Sequence, residues 1–183
     1  ILKEDKKNLN LVKIEYEKLD SKIKLLEEDY NKIRERYDEE IEKIENEFSG
    51  KIKTIRFSHL NNYQNEKIIL VDSIGILLTL YTYAHVAFVG GSFKQNVHNV
   101  LEAAVYGIPV MFGPKIENSQ EAKKLVELGG GILIKNKRQA YKNLRMLFTN
   151  EELRKSKGNI SLSFVKENLG ATEKILKEIN FHL

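Results

Sequence analysis

Ser73-Ile74-Gly75-Ile76-Leu77-Leu78-Thr79-Leu80-Tyr81-Thr82-Tyr83-Ala84-His85-Val86-Ala87-Phe88-Val89-Gly90-Gly91-Ser92-Phe93 contains no Asp, Glu, Lys or Arg. An uncharged run of this length is long enough to cross a membrane as one helix. It does not read as one helix, because the pattern breaks at Ala84-His85. The half before the break, Ile74 to Tyr81, has helix-like apolar content, whereas Val86-Ala87-Phe88-Val89 is a short β-prone run closed by Gly90-Gly91. A buried helix feeding a buried parallel strand lacks charge just as a membrane span does.

The flanking sequence supports the second choice. Strands are expected at Ile52 to Phe57, Lys67 to Val71, Val86 to Val89, Pro109 to Phe112 and Gly131 to Ile134. Helices are expected between them at Ile74 to Tyr83, Val97 to Tyr106 and Ser119 to Leu128, with three more from Arg138 to Ile179. Short apolar strands alternating with helices predict an α/β domain, a doubly wound parallel sheet covered on both faces. Ligands in such folds bind beyond the carboxyl ends of strands, which directs attention to residues 90–99 and 113–118.

Composition narrows the functional classes. The 183 residues suit one domain with an appendage better than two full cores, and 42% hydrophobic with 31% charged residues excludes a disordered or low-complexity chain. With no Cys, disulfides, thiolate metal sites and cysteine nucleophiles are excluded, and four scattered His make a histidine-rich metal site a poor reading. The first fifty residues carry eleven Lys/Arg against fifteen Asp/Glu, leaving nineteen against eleven for the remainder, so an acidic segment precedes a basic one. A basic globular part suits an anionic ligand, nucleic acid or an anionic surface. The absence of Trp and of a Lys/Arg-plus-aromatic motif argues against nucleic acid. The start, Ile1-Leu2-Lys3-Glu4-Asp5, has no signal-peptide pattern and no Met, so the chain reads as a piece of a longer protein in a cytoplasmic setting.

Residues 1–49 are expected to form a helical, coiled-coil-like arm and residues 50–183 the α/β domain. Apolar positions run Val12, Tyr16, Leu19, Ile23, Leu26, Tyr30, Ile33 and Tyr37 at alternating steps of four and three, then Ile41, Ile44 and Phe48 after one extra four-residue step. That is a heptad seam with a stutter, too narrow a stripe to be buried without a partner. Self-association through this arm is the expectation, and Ser49-Gly50 reads as its C-terminal stop.

Two loops hold the candidate binding residues. After Val89, Gly90, Gly91 and Ser92 lead past Lys94 to His98, Asn99 and Glu102. Glycines permit close backbone approach, a helix start offers N–H groups to a phosphate or carboxylate, and Glu102 can accept from sugar hydroxyls. The alternatives are a simple tight turn at Gly90-Gly91 and ordinary helix capping by Asn96 or Asn99. In the second loop Gly113 is followed by Lys115, Asn118 and Glu121, where Asn118 and Glu121 have capping-box spacing and Lys115 can meet an anion shared by both loops. Neither loop is a P-loop or a GxGxxG motif. His59, His85 and His182 have no partners by spacing.

Taken in order, Ile74-Gly75-Ile76-Leu77-Leu78-Thr79-Leu80-Tyr81, Ala87-Phe88-Val89-Gly90-Gly91-Ser92, His98-Asn99-Val100-Leu101-Glu102-Ala103-Ala104, Gly107-Ile108-Pro109-Val110 and Phe112-Gly113-Pro114 with Asn118 and Glu121 resemble the C-terminal half of the lipopolysaccharide Kdo transferases, 3-deoxy-D-manno-octulosonic acid transferases of the GT-B class. The resemblance implies a nucleotide-sugar domain for CMP-Kdo, in an enzyme that delivers Kdo to the lipid A precursor with inversion and without a metal or other cofactor. It implies Gly90, Gly91 and Ser92 at the phosphate, Asn99 and Glu102 at the ribose or sugar, and Asn118 with Glu121 completing the pocket. It also implies a parent enzyme at the cytoplasmic face of the bacterial inner membrane, although nothing in this sequence pattern itself anchors to lipid. Two departures stand out: Asn96-Val97 replaces a family glycine pair, and residues 1–50 match no part of the acceptor domain. The chain is therefore expected to be a donor-binding half, inactive in transfer alone. Two other readings remain open: an oligomerisation protein with a passenger α/β domain, and a GT-B donor domain for a UDP- or GDP-sugar.

Overall fold

A computed structural model describes the backbone of residues 2–170, 175–177 and 179, and side chains from residue 12 onward within that set. The chain divides into two compact units, residues 1–74 and 75–183. In the first, α1 (Leu2–Phe48) is one unbroken helix, spanning about 70 Å at 1.5 Å per residue. Gly50, at a φ of 72° that an L side chain rarely adopts, stops it as expected, with Lys51 and Ile52 N–H both donating to the Phe48 carbonyl. Seam residues from Val12 to Tyr37 are exposed, Tyr16 at 75% and Tyr37 at 64%; Ile41 is buried, and Ile44 is again exposed.

The helix is followed by β1 (Thr54–Arg56), a 3-10 segment at Phe57–Asn62 and β2 (Ile68–Leu70), with the two strands parallel and Ile55 opposite Ile69. Arg56 ties β1 to α1. Its Nε and Nη2 donate to the two carboxylate oxygens of Glu45 at 2.9 and 2.8 Å, and Nη1 lies 3.6 Å from Asp38. The guanidinium holds the Glu45 carboxyl below its ordinary range, and Glu45 in turn raises Arg56.

The second unit contains α2 (Leu77–Tyr81), β3 (Ala87–Val89), α3 (Leu101–Ala104), β4 (Val110–Phe112), α4 (Gln120–Leu128), β5 (Gly131–Leu133), α5 (Lys137–Thr149) and α6 (Glu151–Glu167). Strands β3, β4 and β5 pair in parallel in chain order, with Phe88, Met111 and Ile132 in one row. Alternation along the strands sends Ala87, Val89, Val110 and Phe112 into a core with residues of α3, α4 and α6. The opposite face places Met111 and Ile132 against Leu147 of α5. Helices on both faces of a parallel sheet are the expected α/β architecture, preceded by the expected long helix. The five strands form a two-stranded and a three-stranded sheet among the described residues, a division that periodicity does not reveal.

Small residues set how closely α6 approaches this core. A Cβ built on Gly158 would stand 2.0 Å from the Gly107 carbonyl oxygen, and one on Gly130 would stand 2.6 Å from Ser161 Oγ. Neither Gly158 nor Ser161 is singled out by the sequence reading, because a glycine in mid-helix signals a packing reason only once its neighbour is known. The third helical segment expected before Ile179 lies largely outside the described residues, as does His182. No described helix is long and apolar enough to cross a membrane, and the uncharged opening stretch is divided between the five-residue α2 and strand β3.

Candidate functional site

Because β3 and β4 are parallel neighbours, the loops leaving their carboxyl ends must run side by side, and hydrogen bonds join them at four points. Gly113 N–H donates to Ser92 Oγ at 2.6 Å, Lys115 N–H to the Ser92 carbonyl at 3.0 Å, and Val97 N–H to the Lys115 carbonyl at 3.2 Å. Lys115 Nζ closes the set on the Lys94 carbonyl at 2.9 Å. The two turns therefore form one structure, as the sequence reading required.

The first loop is built on its glycines. Gly91 adopts a φ of 89°, and its carbonyl accepts from Lys94 and Gln95 N–H. A Cβ there would lie 2.2 Å from the Asn96 carbonyl oxygen and 2.9 Å from the His98 ring, so this position admits only glycine. Gly90 accepts from His98 N–H through its carbonyl, which brings the imidazole over both glycines. The ligand-facing role expected of Ser92 meets a different geometry: the residue is fully buried and its hydroxyl is occupied by Gly113. Gly113 is likewise buried, with the Phe93 ring and Ser92 Oγ where its own side chain would stand. These two residues hold the loops together from inside, while Lys94 and Lys115 are exposed.

The helix expected from Val97 begins only at Leu101 and makes a single turn to Ala104. The local cause is Asn99: the Leu101 N–H, which a helix begun at Val97 would direct to the Val97 carbonyl, is taken by Asn99 Oδ1, while Val97 and His98 are tied to the Lys115 and Gly90 carbonyls of the loop pair. So short a helix contributes little dipole, and the anion-binding logic of a helix start does not apply to α3. Asn99 Oδ1 accepts from Leu101 N–H at 3.1 Å while its Nδ2 donates to Glu102 Oε1 at 3.0 Å. Glu102 is half-buried, and its charge joins burial in raising the Tyr81 phenol above its ordinary value, burial being the larger cause.

At α4 the cap is Ser119, not Asn118. Ser119 has extended backbone angles, and its Oγ accepts from Ala122 N–H at 3.0 Å while donating to Glu121 Oε2 at 3.0 Å. The adjacent Asn118-Ser119 pair made the start ambiguous by one residue, since both side chains cap well. Asn118 is left exposed.

These arrangements enclose an open groove of about 290 Å³, lined by residues 97–101, Asn118, Ser119 and Glu121. It brings together His98, Asn99, Asn118 and Glu121 from the expected set, and adds Ser119, which the sequence reading treated as a helix residue. Glu102 does not line it, and Gly90, Gly91, Ser92 and Gly113 shape its supporting loops. First-turn N–H groups of a helix have no intrahelical acceptors, and the nine-residue α4 starts at this groove. The groove thus offers amide, imidazole and carboxylate side chains beside a helix N-terminus, with two lysines on the supporting loops, a combination suited to an anionic polyhydroxylated ligand.

No protein-family model matches the chain. Among curated proteins it is similar to the 3-deoxy-D-manno-octulosonic acid transferases of Rickettsia typhi, at 34% identity over 117 residues covering 62% of this chain and 24% of that protein, and Haemophilus influenzae, at 34% over 116 residues covering 62% and 27%. That of Chlamydophila psittaci is 44% identical over 66 residues, 34% of this chain and 15% of the relative. The chain thus spans about a quarter of the length of the longer matches. Among solved structures it superposes with a TM-score of 0.63 and 24% identity on the C-terminal CMP-Kdo binding domain of WaaA from Acinetobacter baumannii, covering 72% of this chain and 69% of that one. By sequence, then, the chain is related to the 3-deoxy-D-manno-octulosonic acid transferases, and its fold is that of a C-terminal domain of one of them.

Proposed function

We propose that this chain is the donor-binding half of a Kdo transferase and that it holds CMP-Kdo in the groove between the loops after β3 and β4. The observation that carries this is the union of the two loops by four hydrogen bonds, which gathers His98, Asn99, Asn118 and Glu121 at one opening. The ligand presents a phosphodiester and a sugar carboxylate, and the α4 N-terminus with Lys94 and Lys115 supplies positive potential without a divalent ion. Asn118 and Asn99 are suited to ribose or sugar oxygens, and Glu121 to a hydroxyl. The name and substrate of the relatives support this choice over a UDP- or GDP-sugar.

Calorimetric titration of the full chain with CMP, UMP and GDP tests it. CMP should bind more tightly than the other two; equal binding of all three, or preference for GDP, refutes the assignment. In this reading the acceptor-binding domain and the lipid A precursor belong to the remainder of the transferase at the cytoplasmic membrane face. The chain alone should then give no Kdo transfer to lipid A precursor, and turnover in that assay would refute the half-enzyme reading.

A second role, association of residues 1–49 with another copy, is favoured by the exposed seam, which leaves Leu19 at 62%, Leu26 at 61% and Ile33 at 52% exposure. Light scattering of the full chain and of residues 50–183 tests both that role and the domain boundary. Loss of a larger species on deletion is expected, and the same number of copies per particle before and after deletion refutes it. No nucleic-acid partner is assigned.

A further inference from the structure

From Lys135 to Asn150 the chain carries five Lys or Arg and no Asp or Glu. Folding sorts this stretch, because Leu147 is fully buried and Ala140 packs with it against the sheet, fixing which side of α5 faces outward. At 3.6 residues per turn, Leu144, Phe148 and Tyr141 then share an outward arc of about 60°, and Arg145, Arg138 and Lys142 fill the adjoining one. Tyr141 is 66% exposed, Phe148 61% and Leu144 37%. Those three cations are exposed, and none forms an ion pair among the described residues.

We propose that this face of α5 docks on an anionic lipid bilayer, with the apolar stripe entering the headgroup boundary and the cations meeting lipid phosphates. Charge complementarity selects an anionic partner, since a helix surface with three unpaired cations and no carboxylate repels a basic one. The apolar stripe selects a bilayer. Leu144 offers nothing to a base or a phosphate, whereas an apolar stripe bordered by Lys and Arg is the composition of helices that lie in the membrane interface. The sequence reading passed this face over because the arcs emerge only once the buried side is known. The docking is independent of nucleotide-sugar binding.

Co-sedimentation of the full chain with phosphatidylcholine vesicles, with and without phosphatidylglycerol, tests the proposal. Binding is expected only with the anionic lipid and should weaken with added salt. Each Lys or Arg near an anionic surface strengthens binding about fivefold, so the R138Q/K142Q/R145Q variant should partition on the order of a hundredfold more weakly. Because these side chains are exposed, the variants should keep the parent circular dichroism spectrum. Y141S/F148S should also weaken binding while leaving all charges in place. Equal binding to both vesicle types, or unchanged partition of either variant, overturns the proposal. So does single-stranded RNA binding that is lost in R138Q/K142Q/R145Q but untouched in Y141S/F148S, because the face would then read nucleic acid.

Discussion

Ser92→Ala removes one oxygen atom from the junction of the two loops and leaves the Gly113 N–H with no acceptor in a buried place. The wild-type bond is 2.6 Å long, Ser92 is 0% exposed, and alanine fits the same volume, so neither a clash nor a large cavity confuses the outcome. An abandoned buried donor costs roughly 1–3 kcal/mol, well above the 0.5 kcal/mol or so typical of a surface change. At about 2–4 °C per kcal/mol for a chain of this size, the midpoint of thermal unfolding should fall by roughly 2–12 °C. Two compact units weaken any single-transition treatment, so amide exchange is the better assay. Exchange of the Gly113 amide should accelerate about 5- to 150-fold, the same free energy expressed as an opening constant. The neighbouring bonds from Lys115 and Val97 should loosen with it, and CMP affinity should drop. Unchanged exchange at Gly113 would mean that water or another group satisfies this amide, and the account of a buried clasp would be wrong.

Gly158→Ala should be far more damaging than Gly129→Ala: the first puts a Cβ 2.0 Å from the Gly107 carbonyl oxygen, while the second meets Ile160 only at ordinary contact distance and adds the cost of a φ of 93°, about 1–2 kcal/mol. Urea unfolding, or yield of soluble protein, ranks them, and equal effects would contradict the close α6 contact. Ser119→Ala should cost about 1 kcal/mol through loss of the α4 cap, against a few tenths for Asn118→Ala, and thermal melts decide which residue caps. Glu45 has its folded pKa held below the ordinary 4.5 by Arg56, so the ion pair contributes stability above that pH and loses it as pH falls through the lowered value. The excess exchange of β1 amides in Arg56→Gln over wild type should accordingly be present at neutral pH and shrink in acid; a difference that grows on acidification would refute it.

Much of this molecule is legible in one dimension. Heptad spacing from Val12 to Phe48 describes a helix that satisfies its own backbone, and Gly50 marks its end without reference to any other part of the chain. Strands β3, β4 and β5 lie within one residue of the apolar runs at Val86, Pro109 and Gly131, because a largely buried parallel sheet excludes charge from its strands, although Phe88 of β3 is left 53% exposed. Where reasoning from spacing falls short, long-range bonds compete with local preference. Residues 97–99 have helical neighbours and a plausible cap, yet Val97 and His98 are anchored to the Lys115 and Gly90 carbonyls, Asn99 Oδ1 takes the Leu101 N–H, and α3 starts only at Leu101. Ser92 and Gly113 look like ligand contacts when viewed singly, since nothing in their spacing says that they bond to each other.

The sequence by itself determined the alternation of elements, the acidic arm before a basic α/β part, and the pair of loops in which to look for a site. All of these follow from periodicity, backbone freedom and charge, which are properties of neighbours along the chain. Only the tertiary structure decided which polar groups face the groove, which are consumed as the clasp beneath it, and why Gly158 and Ser161 must be small. Those outcomes depend on atoms far apart in sequence competing for the same hydrogen bonds and the same space.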